Sequence, residues 1–390
     1  MTGLLEALFW LTSTLTVLPY LIYPILLYAG VKIRGRSGEV SEPAEWPTVT
    51  VVVSAHNEDA VIENKIRTTL ALDYPRDRIS VVIVSDASSD ATNEIVSRLA
   101  EEDGRVHLVE LSEHRGKTAG LNVAMETITT DVVVFTDANA IFAPDALREI
   151  SRELCGDNIG YVVGSALYSD EPGSTAGGNE GLYWKFELAI KQLESAFESV
   201  IGGDGAIYGI WRRLYEPLAA EDINDFMNPI QIIGAGYRGV FSASARAFED
   251  AANDFGKEFR RKRRIVCRTW GALLRYGIRR LYRANPRYTC MLFAHKVVRW
   301  FTLLWIALAL GANIALLGFD GPAIYVLTLG MILLSIGLAI AGWVHSLRDP
   351  RVPAYFGIPY YFYLSNLAAL LGIIDYARGN RYVTWQHVRT

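Results

Sequence analysis

The amino-acid sequence predicts an α/β domain with a Rossmann-like, mostly parallel sheet, joined to α-helical membrane segments. Two apolar runs, 79–86 and 131–139, each read as a buried strand that leads into acidic or amide side chains. Parallel strands that are covered on both faces are rich in Val, Ile and Phe, and ligands bind beyond their carboxyl ends. Elsewhere, four stretches carry no charge, and each has the length of about 20 residues or more that a helix needs to cross a bilayer.

These uncharged stretches define the membrane part of the chain. They span residues 7–31, 300–319, 321–344 and 352–374. The expected division is a transmembrane anchor at 1–31, a linker at 32–47, an α/β domain at 48–275, an interface helix at 276–295, transmembrane or interface helices at 296–376 and a cytosolic tail at 377–390.

The first stretch is compatible with a signal peptide or with a retained anchor. It is longer than the apolar core of a signal peptide, and it has neither a basic start nor a small-residue cleavage site before Lys32. A retained anchor is therefore favoured. Lys32, Arg34 and Arg36 follow it directly, and the positive-inside rule places that end in the cytosol. We expect a multi-pass protein of the cell (inner) membrane whose α/β domain is cytosolic.

Strands and helices alternate in the first third of the domain. The pattern predicts strand 49–55, a helix ending near 72, strand 79–85, helix 91–102, strand 106–111, a helix ending near 128 and a strand ending at Asp137. This alternation is typical of a doubly wound sheet with right-handed crossovers. Beyond it, helical spacing covers 182–200, a glycine turn at 201–207 leads into a strand, and acids open a helix within 221–233.

The charge and the cysteine content argue against some kinds of partner and site. The formal net charge of −4 argues against nucleic acid. The three cysteines, Cys155, Cys267 and Cys290, are far apart and form no CxxC pair. A disulfide framework or a zinc site is therefore not expected.

Acids and amides at the strand ends are the first candidates for chemistry. Asp86 could hold a base or a ribose, although an acid after a strand is more often an ordinary helix cap. Asp137 and Asn139 place two oxygen ligands in one turn, as a hard divalent ion bound to a diphosphate requires, although this spacing is common by chance. Lys117 follows a glycine but lacks the spacing of a P-loop, so it reads either as a phosphate contact or as a surface charge.

A second group of candidates lies later in the chain. Asp225 is a candidate general base for an acceptor hydroxyl, or an acid that favours the helix dipole, and its neighbours Glu221 and Asp222 are expected to be exposed. Residues 259–268 contain six Lys or Arg, which include Arg264 and Arg268. This run could face anionic lipids or stabilise a departing diphosphate.

The ordered series of these motifs resembles the membrane-embedded family 2 glycosyltransferases, which include hyaluronan, chitin, cellulose and poly-N-acetylglucosamine synthases. The resemblance covers residues 48–275 and, more loosely, the membrane segments. It implies a GT-A fold and Mg²⁺ or Mn²⁺ on Asp137 and Asn139. It also implies Ala55, Asn57, Glu58, Asp86, Lys117, Asp137, Trp385 and Arg389 at the nucleotide, Gly205, Ala206 and Asn224 at the acceptor, and Asp225, Arg264 and Arg268 in catalysis.

Two motifs depart from that family. The Thr-Glu-Asp base motif is Ile223-Asn224-Asp225 here, and the Gln-X-X-Arg-Trp motif of processive synthases keeps only Arg264. The resemblance therefore leaves open whether a polymer is extended or a single sugar is added. Three simple crossings after a cytosolic domain would also place Trp385 and Arg389 outside the cell. We therefore expect an irregular or interfacial segment within 353–363, because such backbone is tolerated where protein or water covers it.

The function expected from the sequence is metal-dependent, inverting transfer of a sugar, with a UDP-sugar as the first candidate donor. The acceptor would be a growing polysaccharide or a lipid-linked glycan, with membrane lipid and a homo-oligomer or accessory subunit as further partners. The alternative is a non-catalytic receptor for nucleotide-sugars or a subunit that needs a partner. A dehydrogenase fits poorly because no GxGxxG turn follows the first strand.

Overall fold

A computed structural model describes residues 2–34, 40–169, 175–250, 255–318, 322–349 and 352–384. The chain begins with one long apolar segment, which is two α-helices joined by a π-helical turn at Leu18–Ile22. The helices are α1 (Thr2–Val17) and α2 (Tyr23–Arg34). The anchor helix therefore continues past residue 31, the end expected from the sequence.

The first half of the α/β domain follows the predicted order closely. Its elements are β1 (Val49–Ala55), α3 (Asp59–Leu70), β2 (Ile79–Asp86), α4 (Thr92–Glu102), β3 (Val106–Leu111), α5 (Lys117–Thr127) and β4 (Val132–Asp137). β1 pairs in parallel with both β2 and β4, and β2 pairs in parallel with β3. Repeated strand–helix–strand units produce this arrangement, because each crossover helix returns the chain to the same end of the sheet.

The second half of the domain completes an eight-stranded sheet in the order β3-β2-β1-β4-β7-β6-β8-β5. Its elements are β5 (Ile141–Phe142), α6 (Ala146–Leu154), β6 (Ile159–Ser169), α7 (Thr175–Phe197), β7 (Tyr208–Trp211), α8 (Asn224–Gly234), β8 (Arg238–Asp250) and α9 (Phe255–Tyr276). β7 is antiparallel to β4 and β6, and β5 is antiparallel to β8. The sheet is therefore mixed, and the expected parallel pairing dominates only its first half.

The two faces of the sheet pack against different parts of the molecule. Val51 and Val53 of β1 face a core that includes Ile62 of α3. Val52, between them, faces the other core, which extends to Tyr23 of the anchor segment. Alternate side chains of a strand point to opposite faces. The α/β domain and the apolar helices outside it consequently share one hydrophobic core.

The C-terminal part of the chain is helical. Its elements are α10 (Ile278–Ala284), α11 (Pro286–Leu292), a π-helical turn (Phe293–Val297), α12 (Val298–Trp300), α13 (Thr302–Leu317), α14 (Ala323–Ser346) and α15 (Ala354–Ala377). Within the described ranges, three helical segments are long and apolar enough to cross a membrane: Thr2–Arg34, Ala323–Ser346 and Ala354–Ala377. A fourth candidate is the pair Pro286–Trp300 and Thr302–Leu317, which is bent by 67°.

The position of this bend corrects one expectation from the sequence. Residues 353–363 were expected to be irregular or to lie in the membrane interface. They are not irregular, because they lie mostly within the continuous helix α15, which contains Pro359, and the interfacial position stays a prediction. The bend instead falls at Phe301, between α12 and α13. The uncharged stretch that starts at residue 300 has the composition of a single straight transmembrane helix. The bend at Phe301 is visible only in the three-dimensional structure.

Polar contacts join the apolar helices outside the sheet to the α/β domain. The buried carboxylate of Glu194 in α7 accepts hydrogen bonds from Tyr23 Oη (2.7 Å), His295 Nδ1 (2.7 Å) and the backbone N–H of Ile201 (3.0 Å). At the end of α15, Asp375 forms two hydrogen bonds with Arg263 of α9, at 2.5 and 2.6 Å. The end of the last apolar helix is therefore fixed to the α/β domain.

Candidate active site

The candidate site lies where β1, β2 and β4 end at one edge of the sheet. Ser54 of β1 is in register with Val84 of β2 and with Asp137 of β4. Ala55, Asp86 and Asp137 therefore lie along the same edge. This is the position where ligands bind in sheets of this kind.

The turns after β1 and β2 hold each other in place. Asn57 and Ala87 both have left-handed backbone, with φ of 57° and 55°. The Asn57 side-chain oxygen accepts a hydrogen bond from Ser89 N (2.8 Å), and Glu58 N donates to Thr92 Oγ1 (2.9 Å). Residues other than glycine rarely adopt this conformation, and strained backbone of this kind is concentrated at functional sites.

Asp86 organises the basic loop before α5. Its side chain is buried, and its two oxygens accept hydrogen bonds from the backbone N–H groups of Arg115 and Gly116, both at 2.8 Å. His114 Nδ1 lies 2.9 Å from the same carboxylate. Asp86 is thus a structural acid for the loop, and its contact with a nucleoside stays a prediction.

Two histidines that the sequence did not single out flank Asp86. The rings of His56 and His114 stack with centroids 4.3 Å apart, and His56 Nδ1 lies 2.7 Å from the carbonyl oxygen of Asp86. His56 follows β1 directly, so its position after a buried strand is the signal that identifies it. His114 comes to the same place only because the loop folds back onto Asp86.

Asp137 is the most open of the strand-end acids. Its side chain is 43% exposed, and Lys117 Nζ lies 2.5 Å from its Oδ1. Asn139 Nδ2, two residues on, is buried and makes no hydrogen bond to any residue that the structure describes. This Nδ2 is a donor and binds no cation, but the Asp137 carboxylate and the side-chain oxygen of Asn139 are the oxygen ligands that a hard divalent ion takes together with water and phosphate oxygens. Within the described ranges, no group of three or more His, Cys, Asp or Glu residues could hold a metal by itself.

The glycine turn before β7 brings Asp137 and Asp225 together. A Cβ atom on Gly205 would lie 3.2 Å from Asp137 Oδ2 and 3.6 Å from Asp225 Oδ2. A further Cβ on Gly203 would lie 2.7 Å from the carbonyl oxygen of Asp225, so this turn needs glycine to approach the helix. Two carboxylates from distant parts of the sequence therefore face the same small space.

The electrostatics of Asp225 suit a proton acceptor. Burial raises the pKa of its carboxyl group, and the negative charges of Asp204 and Asp137 act in the same direction, while Lys117 and Arg268 oppose them. A raised pKa makes an ionised carboxylate a stronger base. Asp204, which the sequence analysis missed, forms an ion pair with Lys191 of α7 at 2.8 Å.

The two arginines expected in catalysis have different surroundings. The Arg268 side chain donates to the carbonyl oxygens of Glu221 (3.0 Å) and Ala220 (3.3 Å), to that of Asp222, and to Thr118 Oγ1 (3.2 Å). Arg264 is largely removed from solvent, which lowers its pKa, and Asp137 is the acid near enough to oppose that effect. It forms no hydrogen bond or ion pair with the residues that the structure describes.

Several residues expected at the acceptor are part of the packing. Asn224 is buried, and its amide donates to the hydroxyl of Tyr208 at 2.7 Å. Ala206 is buried as well. Their contact with an acceptor stays a prediction. The expectation that Asp222 is exposed is wrong, because it is buried against Arg275 and accepts from Ala219 N at 2.9 Å.

The segment after α15 reaches the same region. A Cβ atom on Gly116 would collide with the carbonyl oxygen of Val383, so this segment passes directly over the basic loop. Gly116 also has a φ of 90°, which favours glycine. Trp385 and Arg389, expected at the nucleotide, lie outside the described residues.

The comparison that decides the family is a match to the family model. Residues 50–215, from β1 to the turn after β7, match the model "Glycosyl transferase family 2". These residues are a family 2 glycosyltransferase domain. The family that the strand-end motifs resemble is thereby confirmed.

Two curated relatives of this glycosyltransferase domain are named as synthases of a glycolipid and of a polysaccharide. A beta-monoglucosyldiacylglycerol synthase of Trichormus variabilis is 29% identical over 182 residues, which is 45% of this chain and 37% of that protein. A poly-beta-1,6-N-acetyl-D-glucosamine synthase of Staphylococcus aureus is 34% identical over 122 residues, 31% of this chain and 29% of that protein. The match spans about a third of the length of these relatives.

A solved structure has the fold of almost the whole chain, including the glycosyltransferase domain. A mannosyltransferase from Pyrobaculum calidifontis, solved with GDP-Man and Mn²⁺, superimposes with a TM-score of 0.68 at 23% identity. The superposition covers 94% of this chain and 99% of that one. It extends over most of the helices outside the family model as well as the sheet, and it confirms the expected GT-A fold.

Proposed function

We propose that this chain is a membrane-bound, inverting glycosyltransferase that transfers a sugar from a nucleotide-sugar to a hydroxyl group of a lipid-linked or glycan acceptor. The convergence of Asp137 and Asp225 on Gly205 carries the proposal. The open carboxylate of Asp137, beside Lys117, suits a diphosphate that carries a divalent ion. The raised pKa of Asp225 suits a base for an acceptor hydroxyl. A receptor would need the first group and would have no use for the second.

Asp137 and Asn139 would hold Mg²⁺ or Mn²⁺ at the donor diphosphate. Both offer oxygen atoms, the Asp137 side chain is 43% exposed, and such ions usually bind one or two protein carboxylates with the remaining positions taken by water and phosphate. The bound ion would neutralise charge on the diphosphate leaving group.

The residues of the chain itself supply the other functions. Asp225 takes the proton of the acceptor hydroxyl as that oxygen attacks the anomeric carbon, and the bond to the nucleotide diphosphate breaks on the opposite face. Lys117 and Arg264, both close to Asp137, offset the negative charge of the leaving group. Arg268 holds residues 220–222 and thereby the start of α8, where Asp225 lies.

The arrangement of the helices supports a reaction at a membrane. Asp204 of the glycine turn pairs with α7, and the same helix contacts Tyr23 of the anchor segment through Glu194. The acceptor side of the site is therefore built against membrane-side helices, as an acceptor delivered from or through the bilayer requires. We expect the domain on the cytosolic side of the inner membrane, with a UDP-sugar as the first donor to test.

The test uses the purified full-length chain in lipid nanodiscs. UDP-glucose, UDP-N-acetylglucosamine and GDP-mannose are each supplied with Mn²⁺, with Mg²⁺ or with EDTA, and with diacylglycerol or short N-acetylglucosamine oligomers as acceptors. We expect metal-dependent release of one nucleoside diphosphate and a glycosylated product. A product ladder indicates a polymerase, and a single added sugar indicates a transferase of the glycolipid type.

Two variants assign the acids. D225N should lower turnover by about 10²–10⁴-fold without loss of donor binding, which is the usual contribution of a general base. D137N should lower both turnover and metal affinity. E126Q is the matched control, because Glu126 is an exposed acid of α5. Near-normal turnover of D225N, or tight donor binding by the native chain without any turnover, would contradict the proposal.

A further inference from the structure

A lysine is buried beneath the turn that carries Asp137 and Asn139. Lys65 lies on the apolar side of α3 with Ile62, Ile66 and Thr69, and it is 0% exposed. Burial lowers the pKa of its amine to about 7, although the charges of Asp137 and Glu249 oppose this. Burial of an amine destabilises the folded protein unless hydrogen bonds compensate for the lost hydration. The hydrogen-bond partners of Lys65 therefore indicate its role.

The partners of Lys65 are at both ends of this turn. Its Nζ donates to Thr136 Oγ1 at 3.0 Å and to the carbonyl oxygen of Ala140. It also lies 4.1 Å from the centre of the Phe142 ring. No carboxylate in the described part of the chain forms an ion pair with it. An amine donates hydrogen bonds in either protonation state, so this clamp does not depend on its charge.

The clamp continues to the other side of the site. Thr136 Oγ1, which accepts from Lys65, donates to the carbonyl oxygen of Ala206 at 2.7 Å. Ala206 follows Gly205, the residue on which Asp137 and Asp225 converge. One amine is therefore linked by two hydrogen bonds to the donor-side turn and, through Thr136, to the acceptor-side turn.

We propose that Lys65 is a positioning residue that fixes the turn 136–140 in the shape in which Asp137 and Asn139 bind a divalent ion. The inference rests on the proposed function, because it assumes that the ion is bound there. Lys65 touches neither the ion nor the donor. It acts by holding Thr136 and Ala140, the residues on either side of the two ligands, in the way that outer-shell hydrogen bonds orient metal ligands.

The test compares K65M with K65Q in the full-length chain. Met keeps the length and apolar bulk of the side chain and removes both hydrogen bonds, whereas Gln keeps an N–H donor. We expect the dissociation constant for Mn²⁺, measured by electron paramagnetic resonance in the presence of UDP, to rise about tenfold in K65M, with partial recovery in K65Q. I66V is the matched control, because Ile66 is fully buried on the same helix and has no polar group.

A second measurement does not involve the metal. Hydrogen–deuterium exchange of the metal-free protein should be faster in K65M for peptides that cover 136–142 and 205–208, and unchanged for β3. Native Mn²⁺ affinity in K65M, or equal losses in K65Q and K65M, would overturn the inference. Absence of Mn²⁺ binding by the native chain would instead contradict the proposed function, while the exchange comparison would still test the clamp. If K65M does not fold, the Mn²⁺ affinity and the hydrogen exchange are both measured on K65Q.

Discussion

The donor side and the acceptor side of the site are held together in different ways. On the donor side, Asp86 and Asp137 end β2 and β4, the strands on either side of β1, and the Asp86 carboxylate accepts hydrogen bonds from the backbone N–H groups of the basic loop. On the acceptor side, residues 220–222 are held by Arg268 of α9, and Asp204 is held by Lys191 of α7. The acids of the donor side are thus placed by the register of the sheet, with Lys65 of α3 as an additional support of one turn, whereas the acceptor side depends throughout on buried cations of α7 and α9.

This difference has a consequence for mutations. A cation on the acceptor side can serve either structure or chemistry, and the type of residue does not show which. Arg264 and Arg268 are four residues apart on the same helix, yet only Arg268 has its donors taken by carbonyl oxygens. Exchanging each of them separately is the sharpest way to test the comparison.

The largest effect is expected at Arg264. R264M should lower kcat by about 10²–10³-fold with little change in thermal stability, because the guanidinium offsets charge on the leaving diphosphate. Steady-state release of nucleoside diphosphate measures this. R264K should recover part of the rate, and R260M, which changes an exposed arginine one turn earlier, should behave like the native chain. A loss of stability in R264M with unchanged kcat would assign Arg264 to the structure.

The next effect is expected at Arg268 and should appear as lost stability. R268M leaves the carbonyl oxygens of Ala220 and Glu221 without the Arg268 donor, and we expect a loss of about 2–3 kcal/mol in the free energy of unfolding. Thermal denaturation in detergent, calibrated with denaturant, checks this. R76M is the control, since Arg76 is 83% exposed, lies 3.8 Å from Asp103 and should change stability by about 0.5 kcal/mol or less. Unchanged stability of R268M would break the proposed contrast.

A smaller effect is expected at Asp86 on the donor side. D86N weakens the hydrogen bonds to the N–H groups of Arg115 and Gly116, so the basic loop should loosen and KM for the donor should rise about tenfold. We expect kcat to change less. D103N, at the far end of β3, is the control because its ion pair with Arg105 does not touch the site. Faster hydrogen exchange of the loop in donor-free D86N would separate loop order from direct contact with a nucleoside.

The smallest effect is a shift in the pH profile. Burial raises the pKa of Asp225, so the acid limb of kcat/KM should lie at higher pH than an unperturbed aspartate gives. The base must be ionised, and activity is therefore lost as the pH falls through this raised value. D204N removes a negative charge that contributes to the shift, so the limb should move to lower pH. A limb that is identical in D204N would contradict the influence of Asp204.

Much of the donor side could be predicted because its signals are local. A buried strand followed by Asp86, or by Asp137 and Asn139, occupies a few consecutive residues, and β1, β3 and the end of β4 lie where the pattern predicts them. The resemblance to family 2 glycosyltransferases depends on the same local motifs. Lys65 could also have been noticed, since it is a lysine in the apolar stripe formed by Ile62, Ile66 and Thr69.

The acceptor side could not be predicted to the same depth. Glu221 and Asp222 are adjacent acids in a polar segment, and only the fold shows that Asp222 is buried against Arg275. The basic run in α9 likewise has a composition that is typical of a surface facing anionic lipids, yet Arg268 in this run points inward. Burial of a charge depends on which distant element covers it, and residue type does not encode that.

The apolar stretches and the acids at the strand ends, with the family resemblance that they carry, could be identified from the sequence, because each is a short pattern set by strand period, hydropathy or turn chemistry. Only the tertiary structure decided the mixed pairing of the second half of the sheet, the bend at Phe301 and the separate surroundings of Arg264 and Arg268. It also decided that Asp137 and Asp225 converge on Gly205. These features arise where residues far apart in the chain pack together, and the energies of such contacts depend on distance and burial that no local pattern contains.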